Sequence, residues 1–266
     1  MLKNKISLLI LSCDKFSDLW DGHIKLYNEN WPNRDFETFI VTDKKTDKSF
    51  EGITIIPAEG QQEWTDRLVF ALQSIKSDYV FITLDDYFLI EPVNNERMTK
   101  IVNLLLERQY DYIRFFKRPV AATREPISEL SGLYKIDNAI EYSVNLYSGI
   151  WKTEFLKYTL RNPLSAWKYE VSLKDFAVQY GAKCLVDLED DFVILDVVRK
   201  GKLLRDAKKY FDKHPGIYTG QRDIQSRSSA CRLWFKTMGA RYIPKGLTKI
   251  ARSVYVFFGG KTFSNS

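Results

Sequence analysis

The sequence predicts an α/β fold, with a mostly parallel sheet flanked by helices, and three observations carry that expectation. Through the first 120 residues, short apolar runs alternate with segments whose apolar positions recur at helical spacing. The runs are apolar along most of their length, as strands covered on both faces are. With 266 residues, 45% apolar and 14% aromatic, the chain can build one large α/β domain, and disorder or a small disulfide scaffold is excluded. No repeat recurs at a fixed spacing, which removes solenoids as well.

The elements follow in order. Lys5 to Ser12 (KISLLILS) reads as a buried strand, and Leu19, Trp20, Ile24 and Tyr27 set a helix from Ser17 to about Asn30, with Ser17 or Asp18 as its cap. Pro32-Asn33 ends it. Phe36 to Val41 is a second strand that stops at Thr42-Asp43, and Ile53 to Ile56 a third. Trp64 to Ile75 has helical spacing, and Tyr79 to Leu84 (YVFITL) is an almost wholly apolar strand ending in Asp85-Asp86. Asn94 caps a helix running to Arg108, and Tyr112 to Phe116 returns to a strand. The second half is less regular: strands near Gly132 to Ile136 and Phe192 to Leu195, helices near Lys152 to Leu160, Val171 to Tyr180 and Leu203 to Phe211. We expect one domain over 1–221 and a distinct segment over 222–266.

Ligands of parallel sheets bind beyond the C-terminal strand ends. Three polar clusters fall there: Ser12-Cys13-Asp14, Thr42-Asp43 and Asp85-Asp86. Two adjacent carboxylates in a partly desolvated site repel one another, and a cation relieves that repulsion. Mg²⁺ or Mn²⁺ takes one or two carboxylates plus phosphate oxygens of a substrate, so Asp85 and Asp86 are candidate metal ligands. The plainer reading is a turn in which Asp85 caps the next segment and Asp86 is solvated.

On these residues the first 110 positions resemble nucleotide-sugar glycosyltransferases of the GT-A (Rossmann-like) fold, especially bacterial enzymes of capsule and O-antigen synthesis. The stretch that carries the resemblance is Trp64-Thr65-Asp66-Arg67-Leu68, then a helix, then Tyr79 through Leu84, Asp85-Asp86 and Tyr87-Phe88-Leu89. The resemblance implies that Asp85 and Asp86 bind the metal and the donor diphosphate. It departs from the family pattern in having Asp85-Asp86-Tyr87 or Thr83-Leu84-Asp85 in place of a DxD motif. Downstream, Asn162-Pro163 through Trp167-Lys168-Tyr169-Glu170 is similar to the family's acceptor-side segment, which implies Glu170 as catalytic base. A placed carboxylate that takes the acceptor proton is worth roughly 10² to 10⁴ in rate. Trp167 would offer a sugar-stacking face and an apolar wall beside Glu170. The competing reading makes Trp167 a core anchor and Glu170 an ordinary first-turn acid.

For the nucleotide, Ser12, Asp14, Asp43, Asp66 and Arg67 are the candidates by placement, and Asp66-Arg67 reads equally as a surface ion pair. Within Arg199-Lys200-Gly201-Lys202, similar segments in the family lie near the diphosphate, which makes Lys202 the candidate cation for the departing group. His23 and His214 are the two histidines, too few for a His-based metal site or a Ser/His/Asp hydrolase.

Residues 222–266 hold nine Lys/Arg against the single acid Asp223, so this segment is +8 and residues 1–221 are −2 of the net +6. Aromatics such as Trp234, Phe235, Tyr242 and Phe257 alternate with the cations. That composition suits the headgroup layer of an anionic membrane. A packed helix with a basic face is the main alternative, and nucleic acid is not expected as a partner. Six apolar residues after Lys5 fall short of a signal core, which reads instead as the first strand. Cys13, Cys184 and Cys231 lack metal-site or disulfide spacing, consistent with a reducing cytoplasm.

The sum is an expected transferase that moves a sugar from a nucleotide sugar, UDP-linked, to a lipid-linked glycan, at the cytoplasmic face of the inner membrane and with inversion. The alternatives are another metal-dependent phosphoryl- or nucleotidyl-transfer enzyme, or a non-catalytic membrane scaffold on the same fold.

Overall fold

A computed structural model describes residue 2 and residues 4–230. Strand β1 (Ile6–Leu11) is buried along its whole length, and a 3₁₀ turn over Asp14–Leu19 leads into α1 (Trp20–Asn30). The helix therefore begins three residues later than its spacing predicts, and neither Ser17 nor Asp18 caps it. Next come β2 (Thr38–Thr42), β3 (Ile53–Pro57), α2 (Trp64–Ala71) and β4 (Tyr79–Leu84). The short β5 (Tyr87–Leu89) precedes α3 (Asn95–Arg108), whose cap is Asn94, its side chain accepting from the Arg97 amide as expected.

After β6 (Tyr112–Arg114) come β7 (Thr123–Pro126), β8 (Leu133–Ile136), β9 (Gly149–Lys152), α4 (Thr153–Thr159), α5 (Ala166–Tyr180), β10 (Cys184–Asp187) and β11 (Ile194–Asp196). Gly181, at φ 69°, closes α5 in the left-handed conformation that glycine adopts without strain. The chain continues through β12 (Val198–Arg199), β13 (Lys202–Leu203) and α6 (Arg205–Lys213).

The main sheet has nine strands in the order β3-β2-β1-β4-β9-β6-β10-β8-β7. Seven run in one direction; β8 and β9 oppose them. The predicted mostly parallel α/β sheet is therefore what the chain forms. Successive strand residues point to opposite faces, and the core splits accordingly. Leu9, Leu11, Val80 and Ile82 pack with residues of α2, α4 and α5, including Leu68, Phe155, Tyr169 and Leu173. Leu8, Ile10, Tyr79 and Phe81 pack with residues of α1 and α3, including Trp20, Ile24, Met98 and Ile101.

Chain contacts divide the protein into two compact units, Met1–Val197 with Phe211–Gln221, and Val198–Tyr210 with Arg222–Ser266. In the second, β12 and β13 pair across a two-residue turn in which Lys200 and Gly201 both take positive φ, 52° and 75°. The Leu203 amide there donates to the Asp223 carbonyl at 2.8 Å. Most of 222–266, the segment expected to meet a membrane, lies outside the described residues. No helix among those described is long and apolar enough to cross a membrane.

Candidate functional site

Strands β2, β1 and β4 point their C-terminal ends to one sheet edge, and the antiparallel β9 starts at that same edge, between β4 and β6. Five adjacent strands thus present Asp43, Ser12 to Asp14, Asp85-Asp86, Tyr147 and Phe116 along one line. Three of these groups were legible as polar strand ends. Tyr147 and Phe116 were not.

On the β2-β1-β4 side the polar groups hold each other. The Asp43 carboxylate accepts the Asp14 amide at 2.6 Å, and its other oxygen lies 3.9 Å from the Arg67 guanidinium, which α2 supplies. Lys44 reaches the Asp14 carboxylate at 3.3 Å. The Ser12 hydroxyl accepts from the Trp20 indole at 2.7 Å and donates to the Asp85 carboxylate. The Asp85 amide donates to the Leu11 carbonyl at 3.2 Å, and Asp85 is buried. Cys13 sits among these groups: burial, then the Asp85 and Asp43 charges, push its thiol upward against the pull of Arg67. Asp66 lies in the first turn of α2, half-buried.

Beneath Asp85 lies His23, 1% exposed, stacked on Tyr27 at 4.5 Å between ring centroids. It is a core residue, one of the two placements, core or surface, expected of it. Burial lowers its pKa to about 3, with the Asp85 backbone opposing the shift.

On the other side stands Glu170. Helix α5 begins at Ala166, five residues before its predicted start, so Glu170 sits beyond the first turn rather than in it. Its Oε1 accepts the Leu146 amide at 3.4 Å, next to Tyr147. Burial raises its pKa, and the Leu146 bond opposes this. Asp86, Asp196 and Glu170 all act electrostatically on the Tyr87 phenol, each disfavouring its ionisation after the larger effect of burial. Glu170 holds the Leu146 amide, and Tyr147 next to it meets the ring of Tyr87, the residue after Asp86, so the candidate base lies near the acidic strand end. Asp196, brought there by the pairing of β11 with β5, is a charged neighbour that its sequence position does not announce. Trp167 does not anchor the core: it is 67% exposed, and Tyr169, fully buried against Trp64, takes that place. Lys202 opens β13 in the second unit and is exposed.

Among the described residues no group of three or more His, Cys, Asp or Glu side chains is placed to hold a metal ion. Asp85 and Asp86 follow one another at the end of β4, and the Asp85 carboxylate there accepts from the Ser12 hydroxyl. Two carboxylates leave most of the coordination sphere to water and to substrate oxygens, which is how Mg²⁺ is commonly held beside phosphates.

No family model and no curated protein matches the sequence. Similar solved structures do exist. S. aureus TarS 1-349 in complex with UDP-GlcNAc superposes with a TM-score of 0.50 at 16% identity, covering 75% of this chain and 60% of that one. A UDP-glucose pyrophosphorylase complexed with UDP-glucose reaches 0.49 at 10% identity, over 72% of this chain and 92% of the other. The bifunctional IspDF from Campylobacter jejuni reaches 0.42 at 18% identity, over 72% and 52%. The TarS likeness establishes a shared GT-A-like fold. The chain spans about three fifths of the TarS structure it matches.

Proposed function

We propose that this protein is a glycosyltransferase that moves a sugar from a UDP-linked donor to a hydroxyl of a lipid-linked glycan in bacterial surface polysaccharide synthesis, of the capsule or O-antigen kind. The observation that carries this reading is the approach of Glu170, through Leu146 and Tyr147, to the strand end that bears Asp85-Asp86, with Asp43 and Asp14 on the neighbouring strand ends and Arg67 reaching Asp43 from α2. A likeness of fold to a protein solved with UDP-GlcNAc supports it.

In this reading Ser12, Asp14, Asp43, Asp66 and Arg67 bind the nucleoside part of the donor. Glu170 takes the proton from the acceptor hydroxyl as that oxygen bonds to the anomeric carbon, and the bond from that carbon to the diphosphate oxygen breaks, with inversion. The raised pKa of Glu170 suits a base that must hold a proton after the step. Asp85 and Asp86 would hold Mg²⁺ or Mn²⁺, which offsets the charge developing on the departing diphosphate. The basic segment 222–266 would keep the enzyme at the anionic membrane surface that carries its acceptor.

Thermal unfolding with UDP-, GDP-, CMP- and dTDP-sugars, with and without Mn²⁺, tests the donor. A ligand at about 100 times its Kd adds roughly 2.7 kcal/mol, and at about 2 to 4 °C per kcal/mol the UDP-sugar should raise Tm by about 5 to 10 °C. The rise should vanish in Asp85→Ala/Asp86→Ala. A folded protein that responds to no donor refutes the reading.

A further inference from the structure

Between Ile136 and Gly149 the chain runs through the interior without regular structure: Ser143, Val144, Asn145 and Leu146 are all buried, yet none belongs to a strand or helix. A buried loop must find partners for its amides and carbonyls inside the protein. Here side chains supply many of them. Arg114, itself fully buried in β6, donates to the Tyr142 and Ser143 carbonyls at 3.3 and 3.1 Å and to the Pro119 carbonyl at 3.1 Å. The Tyr112 hydroxyl donates to the Asn145 carbonyl at 3.1 Å and accepts the Asn145 amide at 3.5 Å.

Asn145 is the centre of this arrangement. Its side-chain amide donates to the Tyr142 carbonyl at 3.1 Å, and its side-chain oxygen accepts the Tyr147 amide at 3.0 Å. The second bond is the closure, two residues on, by which an Asn side chain builds a tight turn on its own backbone. Inside that turn lies the Leu146 amide, which leaves the loop and donates to Glu170 Oε1 at 3.4 Å. The Tyr147 ring, next in the chain, is clamped between Phe116 at 3.9 Å and Tyr87 at 4.7 Å, centroid to centroid.

The carboxylate is held as firmly from its own helix. Tyr169, the residue before Glu170, is fully buried, bonded through its hydroxyl to that of Thr159 at 2.6 Å, with its ring 5.4 Å from that of Trp64. Among the described residues nothing else donates to Glu170, so Oε1 is engaged and Oε2 is the oxygen left to take a proton. The titratable groups on which Glu170 bears are the phenols of Tyr87 and Tyr112. A carboxylate at the end of a flexible side chain keeps one orientation only if one of its oxygens is tied, and a placed base needs its geometry held to within about 0.5 Å.

We infer that Asn145 is a positioning residue for the base: its turn aims the Leu146 amide at Glu170 Oε1 and so leaves Oε2 to take the acceptor proton, a role that rests on the glycosyltransferase reading above. Tyr112 and Arg114 brace the same turn from the core. The proton passes from the acceptor hydroxyl to Oε2 as that hydroxyl's oxygen bonds to the anomeric carbon and the diphosphate leaves with the electron pair of the broken bond. A contact that served only the loop would give Asn145 an effect on stability and none on Glu170.

Amide NMR of the ¹⁵N-labelled full chain tests this. In the unaltered protein the Leu146 amide proton should move downfield as pH rises through the Glu170 titration, since a carboxylate is a stronger acceptor than its acid, and the movement should vanish in Glu170→Gln. In Asn145→Ala the movement should shrink and its midpoint should shift to higher pH, because the Leu146 bond opposes the upward push of burial. Asn145→Ser, whose hydroxyl closes the same kind of turn more weakly, should restore part of it. Tyr112→Phe, which keeps the ring and loses the hydroxyl, gives the same reading where Asn145→Ala does not fold. UDP release from the UDP-sugar that binds best, with water as acceptor, should fall about tenfold in Asn145→Ala at unchanged KM. Adding Asn145→Ala to Glu170→Gln should cost nothing more. A Leu146 amide that does not titrate in the unaltered protein overturns the role and leaves the transferase reading standing, as does an Asn145→Ala variant that loses stability alone. A folded protein whose amide titrates with Glu170 but which binds no UDP-sugar overturns the transferase reading and, with it, the role in catalysis.

Discussion

Glu170 shows how one side chain sets activity against stability. Burial lifts its folded pKa above the 4.5 of an exposed glutamate, so its protonated form stabilises the fold at low pH. That contribution is fully present below 4.5 and is lost as pH rises through the folded pKa. Glu170→Gln should therefore be more stable than the unaltered protein at neutral pH in urea titrations, while its turnover falls by about 10² to 10⁴ with UDP affinity kept. The acid limb of the rate profile should disappear with it. A variant that keeps full turnover removes Glu170 from the chemistry. His23 has the opposite sign. The unfolded histidine takes up its proton near 6.5 and the folded one only near 3, so the fold loses roughly 1.4 kcal/mol per pH unit between those limits. His23→Phe, which can still stack on Tyr27, should flatten that part of the stability curve relative to the unaltered protein, as read from urea midpoints between pH 7 and 4.

At the scale of elements, close approach matters more than propensity. Gly22 lies within α1, where alanine normally stabilises by about 1 kcal/mol. Here a Cβ would lie 1.8 Å from the Ile217 carbonyl oxygen and 3.2 Å from the Phe88 ring. Gly22→Ala should thus destabilise, by at least about 1 to 3 kcal/mol, and a thermal midpoint at or above that of the unaltered protein would contradict this packing. The same contrast between local and long-range information explains what could be read from the sequence. Strands β1 and β4 and helix α3 were legible because their apolar spacing or cap is local. Strands β5, β7, β9 and β10 were not read from the sequence, and since β6, β8 and β11 are as short and were, what sets the missed ones is pairing with partners far along the chain. The acidic strand ends could be found because a strand that stops at charge is a local event. The stack of aromatic rings could not, since Tyr87, Phe116 and Tyr147 become neighbours only when β9 inserts between β4 and β6. Trp167 drew attention by its type, and Tyr169, two residues on, turned out to be the buried ring.

Across the whole molecule, charge is divided unevenly, −2 over residues 1–221 and +8 over 222–266. Residues 1–221 are close to neutral in sum, so the basic, aromatic-rich segment is the part of the sequence with the strongest net attraction to an anionic surface. Each cation near an anionic bilayer contributes about 1 kcal/mol and is screened beyond roughly 8 Å at physiological salt. The intact chain should therefore sediment with vesicles containing phosphatidylglycerol and remain in solution with vesicles of phosphatidylcholine alone. Raising salt should weaken the binding steeply at first and then leave a residue, because the interleaved Trp234, Phe235, Tyr255 and Phe257 contribute apolar contact that salt does not screen. Replacing Arg232, Lys236, Arg241 and Lys245 with glutamine should lower the anionic-vesicle affinity by orders of magnitude while leaving the UDP-dependent rise in Tm intact. Equal binding to neutral and anionic vesicles, or none to either, would remove the membrane from the proposed function without touching the donor site. Binding lost together with the UDP response would instead show that the segment contributes to the fold.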